Sequence, residues 1–221
     1  MNVADALRIR KSTRAFLDKP VNREKIEKIL SSARHAPSGT NAQPWQVAIV
    51  TGDKKDELTG GMEKLFRAGD MGGMEYQYYP VKWKNPYKKR RVACGIQLYS
   101  TLNIDRKDKE KRYEQWVANY HGFDAPVLLF FFLDQIMKTG SYLDYGMFIQ
   151  SIMLAAVEEG LATCSQAALG QYPDLIKKAL GYDQEIILVC GMAVGYEDKE
   201  ADINKYRTPR EDIDVFCQFF E

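Results

Sequence analysis

The run Val127 to Leu133, VLLFFFL, leaves this chain the fewest folding options. Even extended back to Ala125 it falls well short of the ~20 apolar residues a membrane-crossing helix needs. A strand with one wet face is equally unsuitable, because alternate side chains point to opposite sides of a sheet and here both sets are apolar. The segment predicts a strand buried on both faces, at the heart of a sheet covered by other elements. Two more strands are predicted, Trp45 to Val50 and Ile186 to Val194. The remaining covers must be helices, which makes the chain α+β.

Helices are predicted over Val3 to Arg10, from the cap-forming Asn22 through Ile26, Ile29, Leu30 and Ala33, and over Asp53 to Leu65. Residues 88 to 119 read as polar-faced helix with Val92, Ile96, Tyr99 and Leu102 turned inward. Leu143 to Glu159 is so apolar that it demands cover on several faces, from other helices or a second subunit, and Gly160 closes it. The segment LATCSQAAL then leads to a helix starting near Pro173. The glycine-rich stretch 60 to 73 reads as loop, and breakers combined with Tyr76, Tyr78, Tyr79, Trp83 and Tyr87 make 67 to 87 a long aromatic loop of the kind that covers sites. Residues 196 to 221 form a C-terminal extension of one domain spanning 1 to 221, and its apolar end, Val215 to Phe220, must dock somewhere.

Charge and motif content exclude several functions. Lys and Arg number 31 against 30 Asp and Glu, so the net +1 gives no whole-chain field for nucleic acid or an anionic membrane. With only His35 and His121, one subunit cannot build a multi-histidine metal site. The dinucleotide fingerprint, the phosphate loop and the serine nucleophile elbow are all absent. The four cysteines show no CxxC spacing and no glycosylation sequon occurs, which favours a reducing, cytoplasmic setting.

Two polar clusters remain. Arg10-Lys11-Ser12-Thr13-Arg14 sets three cations and two hydroxyls within five residues, as an anion receptor would or as a solvated basic turn would. Pro37-Ser38-Gly39-Thr40-Asn41-Ala42-Gln43-Pro44 places small polar groups between prolines just before a strand. Such a loop can face a planar heterocycle, or serve as a rigid turn.

In this order and spacing the clusters resemble the FMN-dependent nitroreductase family, whose pattern opens with a basic RxSxR-F segment followed by PSxxNxQPW. Here these read RKSTRAF at 10 to 16 and PSGTNAQPW at 37 to 45. The likeness continues through PYKKRR at 86 to 91, SYLDYGMFIQ at 141 to 150, GLATCSQAAL at 160 to 169 and GMAVGYEDKEADINKYRTPRE at 191 to 211. It looks most like the branch that includes nitrobenzoate and nitrobenzene reductases.

The resemblance implies a mostly antiparallel central sheet surrounded by helices, in an intertwined homodimer with FMN at the subunit interface. Arg10, Lys11, Ser12 and Arg14 are expected on the phosphate and ribityl chain, with Arg207 and Arg210 from the C-terminal segment. Pro37, Ser38, Gly39, Asn41 and Gln43 are expected from the partner subunit. Arg90 or Arg91 is expected near the polar edge of the ring system, and Ser165, Gln166 and Ala167 near flavin N5. Gln150 would face the pocket. The implied reaction is ping-pong, NAD(P)H giving hydride to flavin N5 and a small nitroaromatic or quinone-type acceptor removing it, with no catalytic side chain required. Reductive dehalogenation of halophenols, flavin destruction, and flavin binding without turnover are alternatives on the same fold.

Overall fold

A computed structural model describes residues 1–221. In chain order the helices are α1 (Val3–Ile9), α2 (Arg23–Ala33), α3 (Gly52–Arg67), α4 (Tyr87–Thr101), α5 (Lys109–Tyr120), α6 (Thr139–Glu158) and α7 (Pro173–Leu180). The strands are β1 (Gln46–Val50), β2 (Val127–Asp134), β3 (Ala162–Gln166) and β4 (Ile186–Gly195). They form one antiparallel sheet in the order β1-β2-β4-β3. No helix is long and apolar enough to cross a membrane.

Strand β2 is buried from Val127 to Leu133, and its side chains divide between two cores. Leu128, Phe130 and Phe132 pack with residues of α3, α5 and α7, including Leu58, Met62, Val117 and Ile176. Val127, Leu129, Phe131 and Leu133 pack on the other face with Ile26 and Ile29 of α2 and with Tyr145, Phe148 and Ile152 of α6. Strict alternation along β2 thus glues helices to both faces, as its apolar run demands.

The pairing of β2 with β4 slips by one residue: Phe131 faces Cys190 whereas Phe132 faces Leu188. Val189 is the extra, unpaired residue of this bulge, and both it and Cys190 enter the α6-side core. β3 pairs β4 only from Gly191 to Gly195, so the bulge lies beyond the end of β3.

Several sequence expectations need correction. Gly60 and Gly61 lie inside α3, not in a loop. The stretch 88 to 119 is broken between Thr101 and Lys109, with Asn103 at φ +52° in the break. Val92 and Ile96 face outward, 51% and 63% exposed, and α4 buries no residue within the chain. LATCSQAAL contains β3, which periodicity missed: ATCSQ has little intrinsic β preference, and pairing with β4 holds it extended. Gly160 closes α6 in the left-handed region, at φ +72°, as expected. The apolar tail has no cover within the chain, Phe216, Phe219 and Phe220 being 74%, 82% and 89% exposed.

Candidate functional site

Arg10 ends α1, and the chain then runs beside β3: Ser12 bridges Thr163 in parallel and the Thr13 N–H donates to the Thr163 carbonyl at 3.0 Å. A buried asparagine from the C-terminal segment fixes this stretch. The Asn204 carboxamide accepts from the Arg14 N–H at 2.8 Å and donates to the Ala15 and Asp198 carbonyls, both at 2.8 Å, while its backbone carbonyl takes the Lys11 ammonium. The C-terminal segment is therefore laid against the N-terminal one. Arg207 donates to the Arg10 carbonyl at 2.6 Å and to Ile9 at 3.3 Å, satisfying carbonyls at the end of α1.

The consequence is a cluster of like charges. Burial, and then the nearby guanidiniums of Arg210 and Arg207, hold Arg10 below its ordinary pKa. None of the three meets a carboxylate, and the Arg10 Nε is buried without a hydrogen-bond partner. Three converging cations with a buried unpaired donor fit a phosphate dianion, which offers several oxygens to guanidinium forks. Lys11 stands apart from them, paired with Glu197 at 2.7 Å.

Beside this cluster lies a cavity of about 570 Å³, walled by Arg14, Tyr76, Gln77, Tyr78, Tyr79, Leu98, Tyr99, Gln115, Trp116 and Asn119, with Cys164 to Ala168 as its floor. A second cavity, about 670 Å³, is walled by Tyr142, Tyr145, Gly146, Ile149, Met153 and Cys190. Tyr76, Gln77, Tyr78 and the floor residues Ser165, Gln166 and Ala167 border both. The aromatic loop is thus the partition, and the expected Ser165 to Ala167 segment is the shared floor.

The partition is anchored on the open side of β4. The Tyr76 hydroxyl donates to the carbonyl of the bulged Val189 at 2.9 Å, and Glu75 accepts from the Leu188 N–H at 2.7 Å. Gly73 donates to the Gln171 carbonyl at 2.7 Å. Gly72 has φ +60°, and a Cβ there would sit 2.4 Å from the same carbonyl oxygen, so only glycine fits. Gln166, 5% exposed, donates through Nε2 to the Asn119 carbonyl at 2.9 Å. Its Oε1 is buried and unpaired, and that contact fixes which end is oxygen.

Titration in the walls is suppressed. Burial pushes the Cys164 thiol up to about 11, against the opposing pull of Arg14, Ser12 and Arg10, and pushes Cys190 up to about 12. Burial likewise raises Tyr76, Tyr78, Tyr142 and Tyr145. At neutral pH these groups keep their protons, so none of them serves as a thiolate or phenolate nucleophile or base.

The other expected residues lie outside these walls. In the Pro37 to Gln43 loop, Thr40, Asn41 and Gln43 have φ of +52°, +59° and +48°. These left-handed residues are held by Ser38 Oγ accepting from the Gln43 N–H at 2.9 Å and by the Gly39 N–H donating to Asp144 at 3.2 Å. The loop is mostly exposed and borders neither cavity. Arg90 pairs with Glu211 at 2.7 Å and Arg91 lies 5.1 Å over the Trp83 ring, both at the start of α4. Gln150 is half-buried on α6, outside both walls. Sequence reasoning missed Asn204 and the α5 wall of Gln115, Trp116 and Asn119. Of the cavity lining, the aromatic loop, Arg14 and the Ser165 to Ala167 floor carried a visible signal.

Known proteins resemble this chain over nearly its whole length. The pattern of the Nitroreductase family matches residues 7–196. The chain is 36% identical to the 4-nitrobenzoate reductase of Pseudomonas putida over 95% of this chain and 92% of that protein. It is 33% identical to the nitrobenzene nitroreductase of Ectopseudomonas oleovorans over 98% and 96%. Among solved structures, the FMN and NADPH-dependent nitroreductase NfnB from Sphigopyxis sp. strain HMH superimposes with a TM-score of 0.97 at 37% identity, covering all of both chains. The FMN-dependent nitroreductase NfnB from Mycobacterium smegmatis, in complex with NADPH, gives 0.93 at 28% identity, also over both whole chains.

Proposed function

The chain belongs to the nitroreductase family, and on that premise we propose that it is an FMN-dependent NAD(P)H oxidoreductase reducing nitroaromatic or quinone-type acceptors. The observation that carries the reading is the convergence of Arg10, Arg207 and Arg210 around a buried, unpartnered Nε beside a cavity with an aromatic wall. FMN presents the two matching parts, a phosphate and a planar ring system.

The three guanidiniums hold the phosphate, and Ser12 and Arg14 continue the site toward the cavity floor at Ser165 to Ala167. The chemistry FMN supplies when bound is hydride transfer from the reductant to the acceptor. The chain's own part is to bind and orient. Arg14 sets a positive charge at the floor, where negative charge is stabilised on reduction. Tyr76, Tyr78, Tyr79, Tyr99 and Trp116 offer faces against which a flat ligand stacks. One floor serves both substrates, so reductant and acceptor occupy it in turn, a ping-pong order.

The assembly is a homodimer, in which the rigid, outward-facing Pro37 to Gln43 loop reaches the partner's site and the exposed tail Val215 to Phe220 finds its cover. The first test is the visible spectrum of the purified protein, recorded anaerobically before and after NADH or NADPH and again after a nitroarene. A flavin spectrum that bleaches and then recovers supports the reading. Failure to bind FMN at saturation overturns it, and bound FMN that neither reductant bleaches favours a flavin-binding protein without turnover.

A further inference from the structure

No charged residue lines the second cavity. Arg14, the one charged side chain in either wall, borders the first alone. On the reading above, FMN takes that first cavity, beside the guanidiniums that hold its phosphate. The second cavity then opens from the same floor, Ser165 to Ala167, to whatever the flavin reduces. The Pro37 to Gln43 loop, which the proposed dimer carries to the partner's site, brings no charge either.

Several donors in the second wall are already committed. The Tyr76 hydroxyl donates to the Val189 carbonyl, the Tyr145 hydroxyl to the Phe132 carbonyl at 2.6 Å, and Gln166 through Nε2 to Asn119. Tyr142, half-buried on α6, lines the second cavity alone, and its hydroxyl makes no hydrogen bond within the chain. Its ring lies 4.8 Å from that of Tyr76 in the partition. Burial, and then the negative charge of Glu75, raise the Tyr142 pKa, so the hydroxyl remains a donor at neutral pH. A ligand that matches is flat and uncharged and bears an oxygen that accepts a hydrogen bond.

Resting on the oxidoreductase reading above, we propose that the second cavity receives an uncharged aromatic acceptor, a nitroarene or quinone, with the Tyr142 hydroxyl donating to one of its oxygens, and that the cavity discriminates against aromatic carboxylates. A carboxylate that leaves water for this wall meets no cation, and its desolvation goes uncompensated. A nitro or quinone oxygen carries no such penalty and still accepts from Tyr142. 4-Nitrobenzoate, the compound named for the Pseudomonas putida relative, is on this account a poor acceptor for the present chain.

The test uses the FMN-loaded protein and two unreactive probes of one shape, benzamide and benzoate, with binding read by calorimetry. The parent should bind benzamide roughly tenfold more tightly than benzoate, the mark of an uncompensated charge. Met153→Lys, which sets a cation in the wall, should narrow or invert that preference, and Ile149→Lys serves where the first variant fails to hold flavin. Tyr142→Phe should weaken benzamide roughly two- to tenfold, as for one lost hydrogen bond, and leave toluene, which has no oxygen, unchanged. The KM values of 4-nitrobenzamide and 4-nitrobenzoate should fall in the same order. Equal affinities for the two probes overturn the proposal, as does a wall lysine that gains benzoate nothing or a Tyr142→Phe loss shared by toluene. A protein that shows the expected affinities yet reduces no acceptor refutes the oxidoreductase reading and not the preference of the cavity, whereas turnover of both nitro compounds with equal KM refutes the preference alone.

Discussion

The Lys177 ammonium, its side chain 1% exposed, lies 2.7 Å from one oxygen of Glu75, while the other oxygen accepts the Leu188 N–H at 2.7 Å. A nearly fully buried charge from α7 is thereby neutralised by the aromatic loop, and the loop is held to β4 in return. Losing one partner leaves an uncompensated charge, at a cost of about 3–5 kcal/mol. Lys177→Met and Glu75→Gln should each lower stability by about that much, and the double variant by clearly less than the sum of the two. Urea denaturation of the four proteins checks this, and additive losses would refute it.

Arg10 sits half-buried against two other guanidiniums, an arrangement suited to a bound anion and unfavourable without one. Arg10→Met should raise the dissociation constant for FMN roughly ten- to a hundredfold, the effect of one charge-assisted contact. The flavin-free protein should melt no lower than the parent. Flavin fluorescence titration gives the first quantity and thermal unfolding the second.

Burial lifts Cys164 and Cys190 from about 9 to about 11 and about 12. Well below pH 9 these thiols are protonated in folded and unfolded chains alike and give no pH dependence. Above it the unfolded chain releases its protons while the folded one keeps them, so stability must fall as pH rises from 9 toward 12. Cys190→Ala should flatten part of this alkaline decline. Urea midpoints measured between neutral and alkaline pH would show it.

Gly72→Ala adds a Cβ 2.4 Å from the Gln171 carbonyl oxygen, on a backbone at φ +60°. Since that oxygen also accepts the Gly73 N–H, relief of the clash displaces the base of the partition. A loss of about 1–3 kcal/mol is expected, together with a raised KM for bulky acceptors. An unchanged urea midpoint would contradict the geometry.

Phe219→Ser with Phe220→Ser removes two aromatic rings that are 82% and 89% exposed on the single chain. If the tail is covered by a second copy, this variant dissociates at concentrations where the parent stays dimeric. Sedimentation velocity over a dilution series decides the point.

Those residues also mark how far sequence alone could reach. VLLFFFL, with apolar residues on both faces, fixed β2 at the sheet centre, and the breakers of 67 to 87 marked the loop that became the partition. The stripe Val92, Ile96, Tyr99, Leu102 misled, because helical periodicity reports an apolar face without saying whether the same chain covers it. β3 stayed hidden because ATCSQ is extended through its partner β4. The RKSTR cluster supplied the stretch now proposed to hold an anion, but Asn204 escaped notice: one asparagine in a polar stretch carries no signal of the four contacts that fix that stretch's backbone.

The proposed anion site joins Arg10 to Arg207 and Arg210, with Asn204 as the clamp between them. On a ribosome, the first cation emerges almost a whole chain before the other two. A nascent polypeptide therefore lacks the complete guanidinium cluster until Arg210 has emerged. On the proposed function, a chain truncated before Asn204 would keep its sheet residues yet lack the clamp and two of the three guanidiniums offered to the flavin phosphate.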